Sequence, residues 1–220
     1  MTIHCSSLKT SGLGKCIAAV LSTMILAAGC SSRPASIPVV DVDPSAASQQ
    51  AIEIYDQDAD GRLSSNELHA VPGILKHVSL YDTDGDGQIS ASEIQSRIGI
   101  WEKQRMGVRG LSVRVTLDQR PLAGAQIELI PEEYLGPNCK PARGVTNERG
   151  VARMHIAAND LPPQLAERKI RGVQGGVYRI KVTHAKRKIP IRYNDESILG
   201  EEIATDTVHD AIQVDLNSKI

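Results

Sequence analysis

Residues 56–67 read DQDADGRLSSNE and residues 82–93 read DTDGDGQISASE; both carry acids at positions 1, 3, 5 and 12, glycine at 6 and serine at 9. A hard cation such as Ca²⁺ takes about six to eight oxygens at roughly 2.3–2.6 Å, and this spacing wraps carboxylates around one point while the glycine turns the chain. In the first stretch the side-chain ligands are expected to be Asp56, Asp58, Asp60 and Glu67. Arg62 would offer its backbone carbonyl, leaving its charge free to point into solvent, and Ser64 would act directly or through a water. In the second stretch the set is Asp82, Asp84, Asp86, Gln88 through its carbonyl, Ser90 and Glu93. Clusters of Asp, Gly and Ser also make ordinary turns. Two such clusters in the same register argue for two Ca²⁺ sites, and Leu63 and Ile89, apolar at position 8 of each, supply a short bridge between the loops.

Helical patterning flanks both stretches. Residues 45–55 favour a helix starting at Pro44, with Ile52 and Tyr55 on one face. After the first loop, 68–71 continue the chain until Pro72-Gly73, where a break is expected. A helix over 74–81 aligns Ile74, Leu75, Val78 and Tyr81, and a last helix from Ser92 to about Met106 presents Ile94, Ile98 and Trp101. The whole resembles a pair of EF-hands. Only 14 residues, 68–81, separate the loops, so the shared helices are short and leave little apolar groove to open. Calcium is therefore expected to structure this half, not to switch it. A dockerin-like reading is set aside because both loops keep Glu at position 12.

Charge divides the chain near residue 107. Residues 41–106 hold 12 acids and 5 bases, whereas 107–220 hold 14 acids and 17 bases. With no Phe, one Trp and five Tyr, the core has to come from Ile, Leu and Val. The N-terminal part reads as a targeting segment: Lys9 and Lys15 precede an apolar run over 16–28 that is short for a membrane span. It ends in Leu26-Ala27-Ala28-Gly29-Cys30, which resembles a bacterial lipobox with alanine three places before the cysteine. The resemblance implies a signal peptide over 1–29, lipidation at Cys30 and a Ser/Pro-rich linker over 30–44. Two or more acyl chains hold a protein stably on a bilayer, so the expected location is the cell envelope as a membrane-anchored lipoprotein, with secretion of a soluble form as the alternative. Cys5 and Cys16 would leave with the signal, and Cys139 would remain with no disulfide partner.

From Gly110 the period changes to two. Strands are expected over 111–117, 125–131, 143–146, 151–156, 176–184 and 211–216, with turns at 118–122 and 147–150. Together with the helical pair this predicts an α+β multidomain chain, an EF-hand pair over 45–106 followed by an antiparallel β-sandwich over 107–220. The pieces LSVRVTLDQRPLAGAQIELIPE, ARGVTNERGVARM and GGVYRIKVTH, with IPIRYNDESILG after them, resemble a carboxypeptidase-regulatory-like domain of transthyretin-like fold, of the kind found in exported planctomycete proteins. That resemblance implies a non-enzymatic spacer or binding module. No HExxH, GxSxG or SxxK is present, and the chain ends LNSKI, without the C-terminal signature of the hydroxyisourate hydrolases that share the fold. His155, His184 and His209 are expected to be scattered strand histidines. The run His184-Ala185-Lys186-Arg187-Lys188, with Arg192 beyond, is either a solvated loop or a contact for an anionic partner such as an acidic glycan, lipid headgroups or the acidic EF module itself. Nucleic acid is not an expected partner, because the charge is near balance and no aromatics interleave the basic run.

Overall fold

The structure, a computed structural model, describes residues 41–104, 107–161, 163–167, 171–207 and 211–219. The targeting segment, Cys30 and most of the linker lie outside the described residues, as does His209.

Helix α1, Pro44–Tyr55, starts where Asp43 Oδ1 accepts the N–H groups of Ser45 and Ala46 and Pro44 presets the first helical turn. After the first loop and strand β1, Arg62–Leu63, comes a single 3-10 turn, Glu67–Ala70. Pro72 begins a helix here and does not end one. Val71 makes the break, and α2, Pro72–Lys76, takes proline at its first turn, where the missing N–H is not needed. The helix expected over 74–81 is split at His77 into α2 and α3, Val78–Tyr81. Strand β2, Ile89–Ser90, leads into α4, Ala91–Lys103, which opens with a capping box: Ser90 Oγ accepts from Glu93 N, and the Glu93 carboxylate accepts from Ser90 N. Strands β1 and β2 pair antiparallel with Leu63 opposite Ile89, both fully buried. Ile74, Tyr81, Ile94, Ile98 and Trp101 fill the core on this side.

The second half is built from β3 (Leu111–Leu117), β4 (Arg120–Pro121), β5 (Ala125–Pro131), β6 (Ala142–Val145), β7 (Val151–Ile156), β8 (Gly176–His184), β9 (Gly200–Ile203) and β10 (Ala211–Leu216), with a short helix α5, Pro163–Glu167, between β7 and β8. Their order is β10-β3-β7-β6-β5-β8-β9, with β4 beside β3. β7 pairs β3 through residues 151–154 and β6 through 155–156, so the path curls around one apolar interior of Val113, Val115, Ile127, Leu129, Val182 and Val214. The α+β class and the antiparallel β-rich half stand as expected. One pair departs from antiparallel: β10 runs parallel to β3, from Ala211 opposite Ser112 to Leu216 opposite Leu117.

Strand β9 was not legible in the sequence, and it is where the helical half docks. Its four residues, Gly-Glu-Glu-Ile, are all buried. Gly200 faces Gly73 so closely that a Cβ at Gly200 would sit 2.2 Å from Gly73 N and 2.5 Å from Pro72 C. Glu201 takes Lys76 Nζ at 2.5 Å and the ring of His77. Glu202, 0% exposed, takes Arg97 Nε and Trp101 Nε1, each at 2.8 Å. Arg97 is 3% exposed and reaches Asp206 with its two remaining nitrogens at 2.8 Å. On the other flank Tyr55 donates to Glu132 Oε2 at 2.8 Å and packs edge-on against Tyr134, with ring centres 6.2 Å apart. The described residues thus form one compact unit. None of the described helices is long and apolar enough to cross a membrane.

Candidate metal centre

Three local bonds recur in both loops, and in the second Asp82 Oδ1 also accepts Gly85 N at 2.7 Å and Asp86 N at 3.1 Å. Asp56 Oδ2 accepts Gly61 N at 2.8 Å, Asp58 Oδ1 accepts Asp60 N at 3.2 Å, and Asp60 Oδ1 accepts Arg62 N at 2.9 Å. In the second loop Asp82 Oδ2 accepts Gly87 N at 3.0 Å, Asp84 Oδ1 accepts Asp86 N at 3.2 Å, and Asp86 Oδ1 accepts Gln88 N at 2.9 Å. Short acids bonding to backbone a few residues on are what makes such a loop close. The glycines at position 6, Gly61 and Gly87, sit at φ +86° and +81°, a left-handed turn that side chains resist. Position 4 differs: loop two has Gly85 at φ +76°, whereas loop one holds Ala59 at φ +60°.

As a result Asp56, Asp58 and Asp60 place ligand atoms within 4.8 Å of one another, and so do Asp82, Asp84 and Asp86. Asp56 Oδ1 is buried and has no hydrogen-bond partner, which fits an oxygen directed at a cation. At Asp58 the bond from Asp60 N lowers the pKa, but partial desolvation and the charges of Asp60, Glu67 and Asp56 outweigh it and raise the value. Like charges crowded this way favour a divalent ion among them.

Glu67 and Glu93 stand at the loop ends outside these tight triplets. Glu67 Oε1 accepts Gln57 N at 2.6 Å, and its Oε2 accepts Ser64 N at 2.8 Å and Ser64 Oγ at 2.7 Å. The Ser64 hydroxyl first, then the Ser64 and Gln57 amides, hold the Glu67 carboxyl down at about 2. Glu93 repeats the pattern with Thr83 N and Ser90 N, each at 2.8 Å, and Ser90 Oγ at 2.8 Å; burial works against its ionisation, but these bonds prevail and its pKa is lowered. Both glutamates are thus kept ionised over the loop. Ser64 and Ser90 each turn their hydroxyl onto the position-12 glutamate. Arg62 adds to the sequence reading: its guanidinium, partly exposed to solvent, also pairs, through Nη1, with Asp86 Oδ2 of the other loop. Position 7 is usually read only for its carbonyl, so the side chain carried no signal.

Other residues of interest have structural places. Cys139 is free and buried against Tyr178, and burial pushes its thiol up to about 12, which leaves no thiolate for chemistry at neutral pH. His184 accepts the Lys186 and Arg187 amides on Nδ1, both at 2.9 Å, and so ties the turn after β8; the exposed run 186–188 follows it. Arg192 bonds the carbonyls of Asn217 and Lys219 and thereby holds the C-terminal end.

Residues 49–72 and 79–98 match the EF-hand family, one match over each loop with its flanking helices. The two matches support calcium binding by this chain. No curated protein matches it. Among solved structures, the Bacillus anthracis TIE protein is similar over 50% of this chain and 16% of its own length, at 16% identity and a TM-score of 0.30. Chlorocatechol 1,2-dioxygenase from Pseudomonas putida is similar over 50% of this chain and 60% of its own, at 14% identity and a TM-score of 0.23. Overlaps this loose carry no argument about fold or activity.

Proposed function

We propose that this chain is an exported, lipid-anchored, non-enzymatic protein in which two calcium ions structure an EF-hand pair fastened to a β-sandwich spacer or binding module. The observation that carries the calcium part is the convergence of three aspartates in each loop, with a buried and unpartnered Asp56 Oδ1 among them. Calcium would be held by Asp56, Asp58, Asp60, the Arg62 carbonyl, Ser64 and Glu67 in one loop, and by Asp82, Asp84, Asp86, the Gln88 carbonyl, Ser90 and Glu93 in the other. Bound there, it neutralises acids that otherwise repel. The fastening of α2 and α4 to β9 favours a structural role over a switch, because the apolar face that a sensor would open is already covered by the sheet. The lipobox at 26–30 and the transthyretin-like strand pattern support the anchor and the module. The alternative, a cell-surface protein- or glycan-binding subunit, draws on a shallow groove of about 330 Å³ on the outer face of β5, β6 and β8, bordered by Gln126, Glu128, Arg143, His155 and Lys181.

Calorimetric titration of the full chain with calcium tests the reading, with Glu67→Gln and Glu93→Gln as controls. Two sites lost one at a time are expected, and no heat at millimolar calcium would overturn it. For the anchor, labelling with a tagged fatty acid should mark the wild type and not Cys30→Ala.

A further inference from the structure

We infer that Arg62 is a tethered competitor for the second calcium site: carried by loop one, its guanidinium occupies Asp86 of loop two and sets that loop's calcium affinity below that of loop one. This rests on the calcium reading of the loops. Asp86 is one of the three acids whose ligand atoms converge within 4.8 Å. One of its oxygens holds Gln88 N at 2.9 Å and the other faces Arg62 Nη1, so the ligand carboxylate most accessible to the neighbouring loop already carries a counter-charge. Affinity in loops of this kind is tuned by the number of ligand charges, and a fixed cation on one of them subtracts from that number.

The geometry keeps Arg62 in place. It lies in β1 opposite Ser90, next to Leu63, which is fully buried against Ile89, so its backbone cannot drift from loop two. The pair contributes little to folding, because the two side chains are 40% and 36% exposed. What it changes is the charge seen by an ion. The two loops are related by an approximate two-fold through β1 and β2, and the residue that mirrors Arg62 is Gln88, which is uncharged. Among the described residues no ion pair reaches Asp56, Asp58 or Asp60. The asymmetry therefore falls on one loop: loop one fills first, and filling loop two displaces the guanidinium.

The test isolates each loop in the full chain. Glu67→Gln leaves loop two and Glu93→Gln leaves loop one, each titrated with calcium alone by calorimetry at low and high salt. Adding Arg62→Gln, which makes the loops alike at position 7, is expected to tighten loop two on the order of fivefold at low salt and less at high salt. Adding Gln88→Arg is expected to weaken loop one by a similar factor. Melting of the calcium-free chain should not move with Arg62→Gln, which separates a charge effect from a structural one. A loop-two Kd within twofold of its parent after Arg62→Gln, or an equal gain in both loops, would overturn the inference while leaving calcium binding intact. Absence of binding in both parents would overturn the calcium reading and this inference with it.

Discussion

Replacing Arg97 by Met should be the most damaging single change at the junction of the two halves. The side chain is 3% exposed and gives Nε to Glu202 Oε1 at 2.8 Å and its two terminal nitrogens to Asp206 at 2.8 Å. Methionine fills much the same space, so packing is kept and the loss is electrostatic. Glu202 would remain fully buried with Trp101 Nε1 and the neighbouring Tyr81 hydroxyl as its nearby side-chain donors. Leaving such a charge uncompensated costs about 3–5 kcal/mol. At roughly 2–4 °C per kcal/mol for a chain of this size, the melting temperature should fall by about 6–20 °C. Urea unfolding followed by the fluorescence of Trp101, the chain's one tryptophan and itself part of the junction, reads this directly. Arg97→Met with Glu202→Gln should recover at least half of the loss, because the stranded charge is gone. Asp206→Asn should cost under about 1 kcal/mol, since its side chain is 43% exposed and water replaces the lost charge interaction. If Arg97→Met came within about 1 kcal/mol of the wild type, or Asp206→Asn matched it, the junction would not rest on this ion pair.

Chelating calcium should lower the melting temperature in one transition seen alike by Trp101 fluorescence and by far-ultraviolet dichroism of the sheet, because the halves share a core; two separated transitions would refute that coupling. Gly200→Ala should cost about 1–3 kcal/mol and red-shift Trp101 emission, since the new Cβ meets the backbone of Gly73 and Pro72; an unchanged urea midpoint would contradict the close approach. Cys139 should resist a thiol reagent at pH 8 until denaturant is added, given its burial and its thiol pKa of about 12; fast native labelling would show the site opens. Glu67 is held below its ordinary value of 4.5, at about 2, so its contribution is present above pH 4.5 and lost as pH falls through 2. In the calcium-free protein the urea midpoint should therefore drop over that window, and Glu67→Gln should flatten the drop.

The loops, the strands 111–117, 125–131, 151–156, 176–184 and 211–216, and the faces of α1 and α4 could be read from the sequence, because each is set by local chemistry. An acid at every second position closes a loop onto its own backbone, as Asp58 does on Asp60 N, and a period of two buries one face of a strand whatever lies across from it. Strand β9 could not be read this way. Gly-Glu-Glu-Ile has no alternation and two acids, and it is buried only because Lys76, His77, Arg97 and Trp101, more than a hundred residues earlier, supply the opposing charges and donors. The parallel setting of β10 on β3, the split of the second helical stretch at His77 and the reach of Arg62 into the other loop are equally non-local. Sequence alone thus determined where the two acidic loops and the sheet faces lie, since those depend on neighbours a few residues apart. Only the tertiary structure decided how the helical pair joins the sheet and which charge meets which, because a buried or cross-loop carboxylate takes its partner from whatever distant segment the fold brings within hydrogen-bond reach.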